Sequence, residues 1–183
     1  KDFSVSKKLS DYGGDGVSIN RNTMNGLNLA AKLLWKGEYS LLQTMVKDSP
    51  GQSIRVLCIE NIPIACAMYN DKTGNYKSNN SFGYEYFSLD NMMESPKLSE
   101  YYSLAVKAVD SVSSLNEKIT IAGVDILDSN ENGLVVLEIN LWPDIYDIAA
   151  STKVDVFSKF AKSFYDKVKK SMDENKDWNI NIK

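Results

Sequence analysis

Three acceptor side chains stand on two neighbouring apolar segments: Asp125 in IAGVDIL, then Glu138 and Asn140 in LVVLEIN. Glu138 and Asn140 are two residues apart, so on a strand they project from one face. The polar DSNEN turn between the segments predicts that the two strands pair and bring Asp125 close to Glu138. Two carboxylates and an amide oxygen converging beside a sheet are hard donors, the kind Mg²⁺ takes when it holds nucleotide phosphates. The flanking residues bear on the choice, because a carboxylate on an otherwise buried strand is costly unless it is paired or bound to metal. The alternative is that these side chains face solvent at strand ends.

Cationic groups that could meet phosphate lie elsewhere in the chain. Lys7 ends an alternating segment and is followed by Asp11-Tyr12-Gly13-Gly14-Asp15-Gly16. Glycines let backbone N–H groups approach phosphate closely, and a lysine offers a point charge. The segment is neither a Walker loop nor GxGxxG before a helix, and a Gly-rich hairpin turn is the plainer reading of it. Lys77-Ser78-Asn79 sits in a polar stretch and Arg55 begins an apolar one; taken singly, each also reads as a solvated charge.

Composition narrows the chemistry. The chain has 183 residues and no histidine, which excludes Ser–His–Asp and Cys–His catalysis, His-ligated zinc and imidazole acid–base work. Catalysis must run on carboxylates, lysines, arginines, amides, backbone groups and a hard metal. With 21 Lys and Arg against 24 Asp and Glu, the net charge of −3 argues against broad electrostatic binding to nucleic acid, a local basic groove aside. Cys58 and Cys66 lie in apolar runs and are expected as buried thiols, which fits a reducing, cytoplasmic setting. No apolar run reaches the roughly 18 residues of a membrane span, and KDFSVSKK is not a signal peptide. The chain begins with Lys and is read as a fragment or a processed product.

The elements that must position these groups follow from hydrophobic period and turn residues. Strands are expected at 3–7, shortly after the glycines, at 41–46, over 54–69 as a hairpin turning near Glu60 and Asn61, and at 119–127 and 133–140. That hairpin sets residue 58 opposite 63, so a Cys58–Cys66 bridge is not expected. A helix over 23–36 is expected to start from Thr23 as N-cap, to place Leu27, Ala30, Ala31, Leu34 and Trp35 on one face, and to stop at Gly37. A second helix spans 96–115, with Leu98, Tyr102, Ala105, Val109 and Val112 in line. A final one runs from about Lys153 to Met172, with Val156, Phe160, Phe164 and Val168 on one face. Residues 70–83 read as a loop and 173–183 as a polar tail; the interleaving of strands and helices argues for an α+β fold.

In order along the chain, VSKKLSDYGGDGV, LLQTMVKDSPGQSIRVLCIENIPIACAMY, NYKSN, IAGVDIL and LVVLEINLWPDI resemble the ATP-grasp fold, and specifically the RimK-type alpha-L-glutamate ligases, over about residues 3 to 170. The most specific piece is AGVDIL followed by LEIN and Pro143. The resemblance implies two α+β subdomains clamping ATP: a small one over 1–46 with the glycine-rich loop and a large one over 47–172 with the metal site. By position it implies Lys7 on the nucleotide phosphates, Gly13, Gly14 and Gly16 in a loop closing over them, Thr44 and Met45 at the hinge that meets adenine, and Ser53 near ribose. It further implies Arg55 and Lys77 as catalytic cations on the phosphate side, with Ser78 and Asn79 beside them. Asp125, Glu138 and Asn140 would hold Mg²⁺, with Mn²⁺ as a substitute, and Glu138 would bridge two ions.

The chain departs from the family pattern at Thr44, where an acidic residue is usual, at Ser53 for Asp, at Lys77 for Arg, and at Asp144, where Gly usually follows Pro143. Lys77 cannot grip phosphate bidentately as an arginine does. The implied activity is an ADP-forming carboxylate–amine ligase that works through an acylphosphate, adding glutamate or another amino acid to a peptide or small acid. Its partners are ATP and the substrate pair, with no nucleic acid and no membrane; an oligomer is compatible. Two alternatives share the fold: a small-molecule kinase, and a nucleotide-binding module without turnover. The domain that such ligases carry ahead of the clamp is absent from this sequence.

Overall fold

The alternating SVSKK segment folds as β1 (Ser4–Lys8) in the computed structural model, which describes residues 3–10, 16–49, 51–71, 84–89, 96–113 and 119–174. β1 lies at the centre of a three-stranded antiparallel sheet, between β2 (Val17–Asn20) and β3 (Ser40–Thr44). Register is set by Lys7 opposite both Val17 and Leu41. β3 ends at Thr44, short of the expected 46, although the Met45 N–H still donates to the Phe3 carbonyl at 3.0 Å, in register with the Ser4–Thr44 pair.

Between β2 and β3 runs α1 (Thr23–Trp35), which packs on β1 and β3. Its N-cap is Asn22, not Thr23: the Asn22 side chain accepts the Asn25 N–H at 2.8 Å while its own backbone stays extended. At the other end Gly37 takes φ 77°, and the Glu38 and Gly37 N–H groups donate back to Leu33 and Leu34, the paired bonds of a Schellman cap. The face that packs is also not the expected one. Gly26 and Leu33 are buried, whereas Leu27, Leu34 and Trp35 are exposed. Gly26 decides this, since a Cβ there would lie 2.6 Å from both Leu42 Cδ1 and Ser4 Oγ.

The remaining strands form a five-stranded sheet in the order β6-β5-β4-β7-β8, with β4 Gln52–Ile59, β5 Ile62–Asp71, β6 Tyr84–Ser88, β7 Ile121–Ser129 and β8 Gly133–Asn140. β4 and β5 turn at Glu60 and Asn61 with φ of 53° and 62°, the two positive values a two-residue type I′ hairpin needs. β4 and β7 run antiparallel, with Val56 opposite Val124 and Arg55 opposite Asp125. In sequence α2 (Pro96–Val112) lies between β6 and β7, and α3 (Tyr146–Thr152) and α4 (Val156–Glu174) follow β8.

Two compact units divide the chain. The first comprises 1–53, 69–85 and 127–135; the second comprises 54–68, 86–126 and 136–183. In the second, Leu57, Ile59, Ala65, Ala67 and Ile121 form a core with Ile148 of α3 and Val156 of α4, and Phe160 packs against it. α2 buries Tyr101, Ala105 and Val109, although Val112, expected in the same line, is exposed.

The helix expected from about Lys153 to Met172 is α4, which starts at Val156, and the short α3 ahead of it was not foreseen. Lys153 adopts a left-handed φ of 59° and caps α3, and α4 starts afresh at Val156. On α4 only Val156 is fully buried; Phe164 and Val168 face outward, against expectation. Asp173 and Glu174, read as tail, belong to this helix, and 175–183 lie outside the described residues. Among the described residues no helix is long and apolar enough to cross a membrane.

Candidate functional site

β7 is buried along almost its whole length, and Asp125 sits within it between Val124 and Ile126, both inaccessible to solvent. A lone carboxylate there would be prohibitive, so its partner matters. The partner is Arg55, directly across the ladder: Nε donates to Oδ1 and Nη2 to Oδ2, each at 2.7 Å. This is a two-pronged, charge-assisted contact between side chains 3 % and 14 % exposed. Arg55, expected to face phosphate, and Asp125, expected to face a cation, are thus bonded to each other.

The strand next to β7 in the sheet is β8, which carries Glu138 and Asn140 two residues apart as expected. They share a face and touch: Asn140 Nδ2 donates to Glu138 Oε1 at 3.1 Å. With its nitrogen turned to Glu138, the Asn140 amide keeps Oδ1 as its acceptor atom. Two carboxylates and an amide oxygen on adjacent strands are hard oxygen donors, so the residues present fit Mg²⁺. Among the described residues no group of three or more Cys, Asp and Glu stands together to hold a metal ion.

The glycine of AGVD has a reason visible only in three dimensions. A Cβ on Gly123 would lie 2.9 Å from Pro143 Cβ and 3.6 Å from Arg55 Cδ. Gly123 therefore lets the proline after LEIN lie against β7 and leaves room for the Arg55 stem. Asp144, where the family pattern has Gly, accepts the Tyr146 N–H at 3.0 Å and so helps to start α3. Neither contact was legible from local pattern.

In the first unit, Lys7 is half-buried on β1. By strand alternation it lies on the face opposite Ser4 and Ser6, the buried pair that α1 covers. Gly16 has φ 68° and its carbonyl accepts the Lys8 N–H at 3.3 Å, which carries the β1–β2 pairing one residue further. Gly13 and Gly14 lie outside the described residues, as do Lys77, Ser78 and Asn79. Thr44 is exposed at the end of β3, opposite Ser4. The Met45 N–H donates to the Phe3 carbonyl. Ser53 is buried on β4.

Asp48 was not foreseen. Its carboxylate accepts Ser129 Oγ at 2.8 Å and the Asn130 and Glu131 N–H groups at 2.6 and 3.1 Å. These bonds, the Ser129 hydroxyl first, hold its pKa below the usual carboxylate value. The clamp ties the segment after β3 to the turn between β7 and β8. An acidic residue in KDSPGQ was the available signal, but its partners lie some 80 residues away. Cys58 and Cys66 are buried and not joined by a disulfide, as expected. Burial, with Asp110 adding to it, pushes the Cys58 thiol up to about 12.

Comparison with known proteins bears on this arrangement. A family profile described as the RimK-like ATP-grasp domain matches residues 5–164. Two relatives named probable alpha-L-glutamate ligase are each 28 % identical: one from Haemophilus ducreyi over 153 residues, 83 % of this chain and 46 % of the relative, and one from Nitrosococcus oceani over 155 residues, 85 % and 48 %. The chain thus spans about half the length of the curated relatives it matches. Among solved structures, the D-cycloserine synthetase DcsG aligns over 90 % of this chain and 55 % of its own, with TM-score 0.65 and 15 % identity. The ATP-grasp ligase PsnB, solved with a precursor variant, Mg and ADP, aligns over 91 % and 46 %, with TM-score 0.58 and 14 % identity. These two show the fold, which is ATP-grasp and α+β. With the profile running from β1 into α4, through every strand that carries the motifs, the chain belongs to the family of RimK-like ATP-grasp domains.

Proposed function

We propose that the chain is the nucleotide-handling part of an ATP- and Mg²⁺-dependent carboxylate–amine ligase. The observation that carries this is the clustering on three adjacent strands of Arg55 on β4, Asp125 on β7, and the Glu138–Asn140 pair on β8. The names of the curated relatives support glutamate as the added group; in this reading another amino acid is the alternative, and a peptide or small acid is the acceptor.

In the proposed reaction a carboxylate oxygen of the acceptor attacks the γ-phosphorus of ATP. The bond from that phosphorus to the β–γ bridging oxygen breaks, and ADP leaves. An amine nitrogen then attacks the acyl carbon, phosphate departs with the electron pair of the acyl C–O bond, and the amine proton passes to solvent. Phosphoryl transfer is mostly positioning and charge neutralisation, which suits a chain without histidine. Asp125, Glu138 and Asn140 would hold Mg²⁺, and the ion would supply neutralisation of phosphate charge. Residues 1–46 supply Lys7 and the turn of Gly13, Gly14 and Gly16 to the phosphates, with Thr44 and Met45 toward adenine and Ser53 toward ribose. Arg55 and Lys77 meet the transferred phosphate, with Ser78 and Asn79 beside it. Buried thiols at Cys58 and Cys66 suit a cytoplasmic enzyme.

The test is ADP release against a panel of acids, with and without amines. Release that requires both an acid and an amine, and that falls at least about 100-fold in Asp125→Asn, is the expected outcome. Release with an alcohol and no amine would indicate a kinase. Nucleotide binding without release on any substrate pair would indicate a binding module.

A further inference from the structure

The two side chains that the proposed function sends to different ligands, Arg55 to phosphate and Asp125 to metal, are bonded to each other through both oxygens of the carboxylate. Their pairing is built in at several levels. The ladder puts the two residues directly opposite. Gly123, next along the same face, leaves the Arg55 stem a slot in which an added Cβ would sit 3.6 Å from its Cδ and 3.7 Å from its Nε. The carboxylate is almost wholly shielded from water, so it must always have a cationic or hydrogen-bonding partner.

A divalent cation on Asp125 therefore meets a guanidinium at hydrogen-bond range, in a place where water screens little. The two cations compete for one carboxylate. A polyphosphate changes that balance twice: it offers the guanidinium another bidentate acceptor, and it adds anionic oxygens to the shell of the metal. Resting on the metal and phosphate roles proposed above, we propose that Arg55 is a coupling residue that shields Asp125 from metal until a nucleotide phosphate draws its guanidinium away, so that metal and nucleotide bind as a linked pair. Linkage makes the effect reciprocal: whatever factor nucleotide adds to metal affinity, metal adds to nucleotide affinity.

The probe is Mn²⁺, titrated into the full 183-residue chain and read by electron paramagnetic resonance of the unbound ion, with and without a non-hydrolysable ATP analogue. In the wild type, Mn²⁺ binds weakly alone and much more tightly with the analogue. Arg55→Gln raises affinity for Mn²⁺ alone by about tenfold or more and reduces the enhancement by the analogue by the same factor. Arg55→Lys, which keeps the charge but loses the fork, falls between the two. Circular dichroism checks folding, and the Lys variant carries the test if the Gln variant does not fold.

The inference is overturned if neither variant binds Mn²⁺ alone more tightly than the wild type while Asp125→Asn still weakens binding with the analogue. The metal reading then survives without the coupling. If the wild type binds no Mn²⁺ even with the analogue, or Asp125→Asn leaves its binding unchanged, the metal reading itself fails and takes the inference with it.

Discussion

In the first unit the face of β1 beneath α1 is made of Ser4 and Ser6, with Asn20 Nδ2 donating to Ser6 Oγ at 2.8 Å and Gly26 as the point of closest approach. In the second, β4 and β7 bring Val56, Leu57, Val124 and Ile126 together with almost no exposed surface, and one ion pair is set among them. The first unit holds its helix to its sheet through small and polar contacts, with Leu33 as the buried leucine of α1. Hydrophobic stabilisation scales with apolar area removed from water, so the second unit carries more of it. The lesson concerns function. The proposed cation ligands Asp125, Glu138 and Asn140 belong to the unit with the deep apolar core, whereas Lys7 and Gly16 belong to the one with fewer buried apolar side chains.

The largest expected effect tests the buried ion pair against an exposed one. Arg55→Met leaves Asp125 without its partner and should lower stability by about 3–5 kcal/mol in urea unfolding. Lys8→Met, which removes the partially exposed pair with Glu38 at 2.7 Å, should barely move the midpoint. Equal losses from the two substitutions would end the contrast. Core truncation probes the same difference through packing: Leu57→Ala should cost about 2–5 kcal/mol, and Leu33→Ala, at the edge of burial, should fall at the low end of that range.

The glycines give a smaller, sharper comparison by thermal unfolding. Gly123→Ala drives a Cβ to 2.9 Å from the rigid Pro143 ring and should cost about 1–3 kcal/mol. Gly26→Ala collides with the movable ends of Leu42 and Ser4, and it gains about 1 kcal/mol of helix propensity, so its net loss should be smaller. The reverse order would mean that the α1 contact is the more rigid of the two.

The smallest effect is on acid stability. Asp48 has a folded pKa lowered from 3.8, so its contribution is fully present above that value and is lost as pH falls through the lower folded one. Asp48→Asn should therefore lower the midpoint at neutral pH and flatten its decline on acidification below pH 4. An unchanged acid limb in the variant would remove Asp48 from the account.

Much of the fold was legible because its signals are local. The β4–β5 turn at Glu60 and Asn61 and the stop of α1 at Gly37 follow from residue types at fixed offsets. The face of α1 was misread because the helix is apolar on two sides. Met24, Leu27, Leu34 and Trp35 form the more conspicuous stripe, yet they are exposed. The packing side is chosen by Gly26, whose lack of a side chain admits Ser4 and Leu42 and which hydropathy does not register. The break between α3 and α4 rests on a lysine at positive φ, a conformation that residue type does not announce.

The proposed site divides along the same line. That Glu138 and Asn140 share a face follows from the two-residue period of a strand, and that the chemistry must do without imidazole follows from composition. That Arg55 grips Asp125, that Gly123 makes way for Pro143, and that Asp48 clamps the turn after β7 depend on register between segments 70 or more residues apart or on loops returning to a sheet. Residue types and local periods determined by themselves which groups this protein has and which short elements carry them. Only the tertiary structure decided which of those groups meet, because strand register and helix docking are set by packing summed over many distant side chains at once.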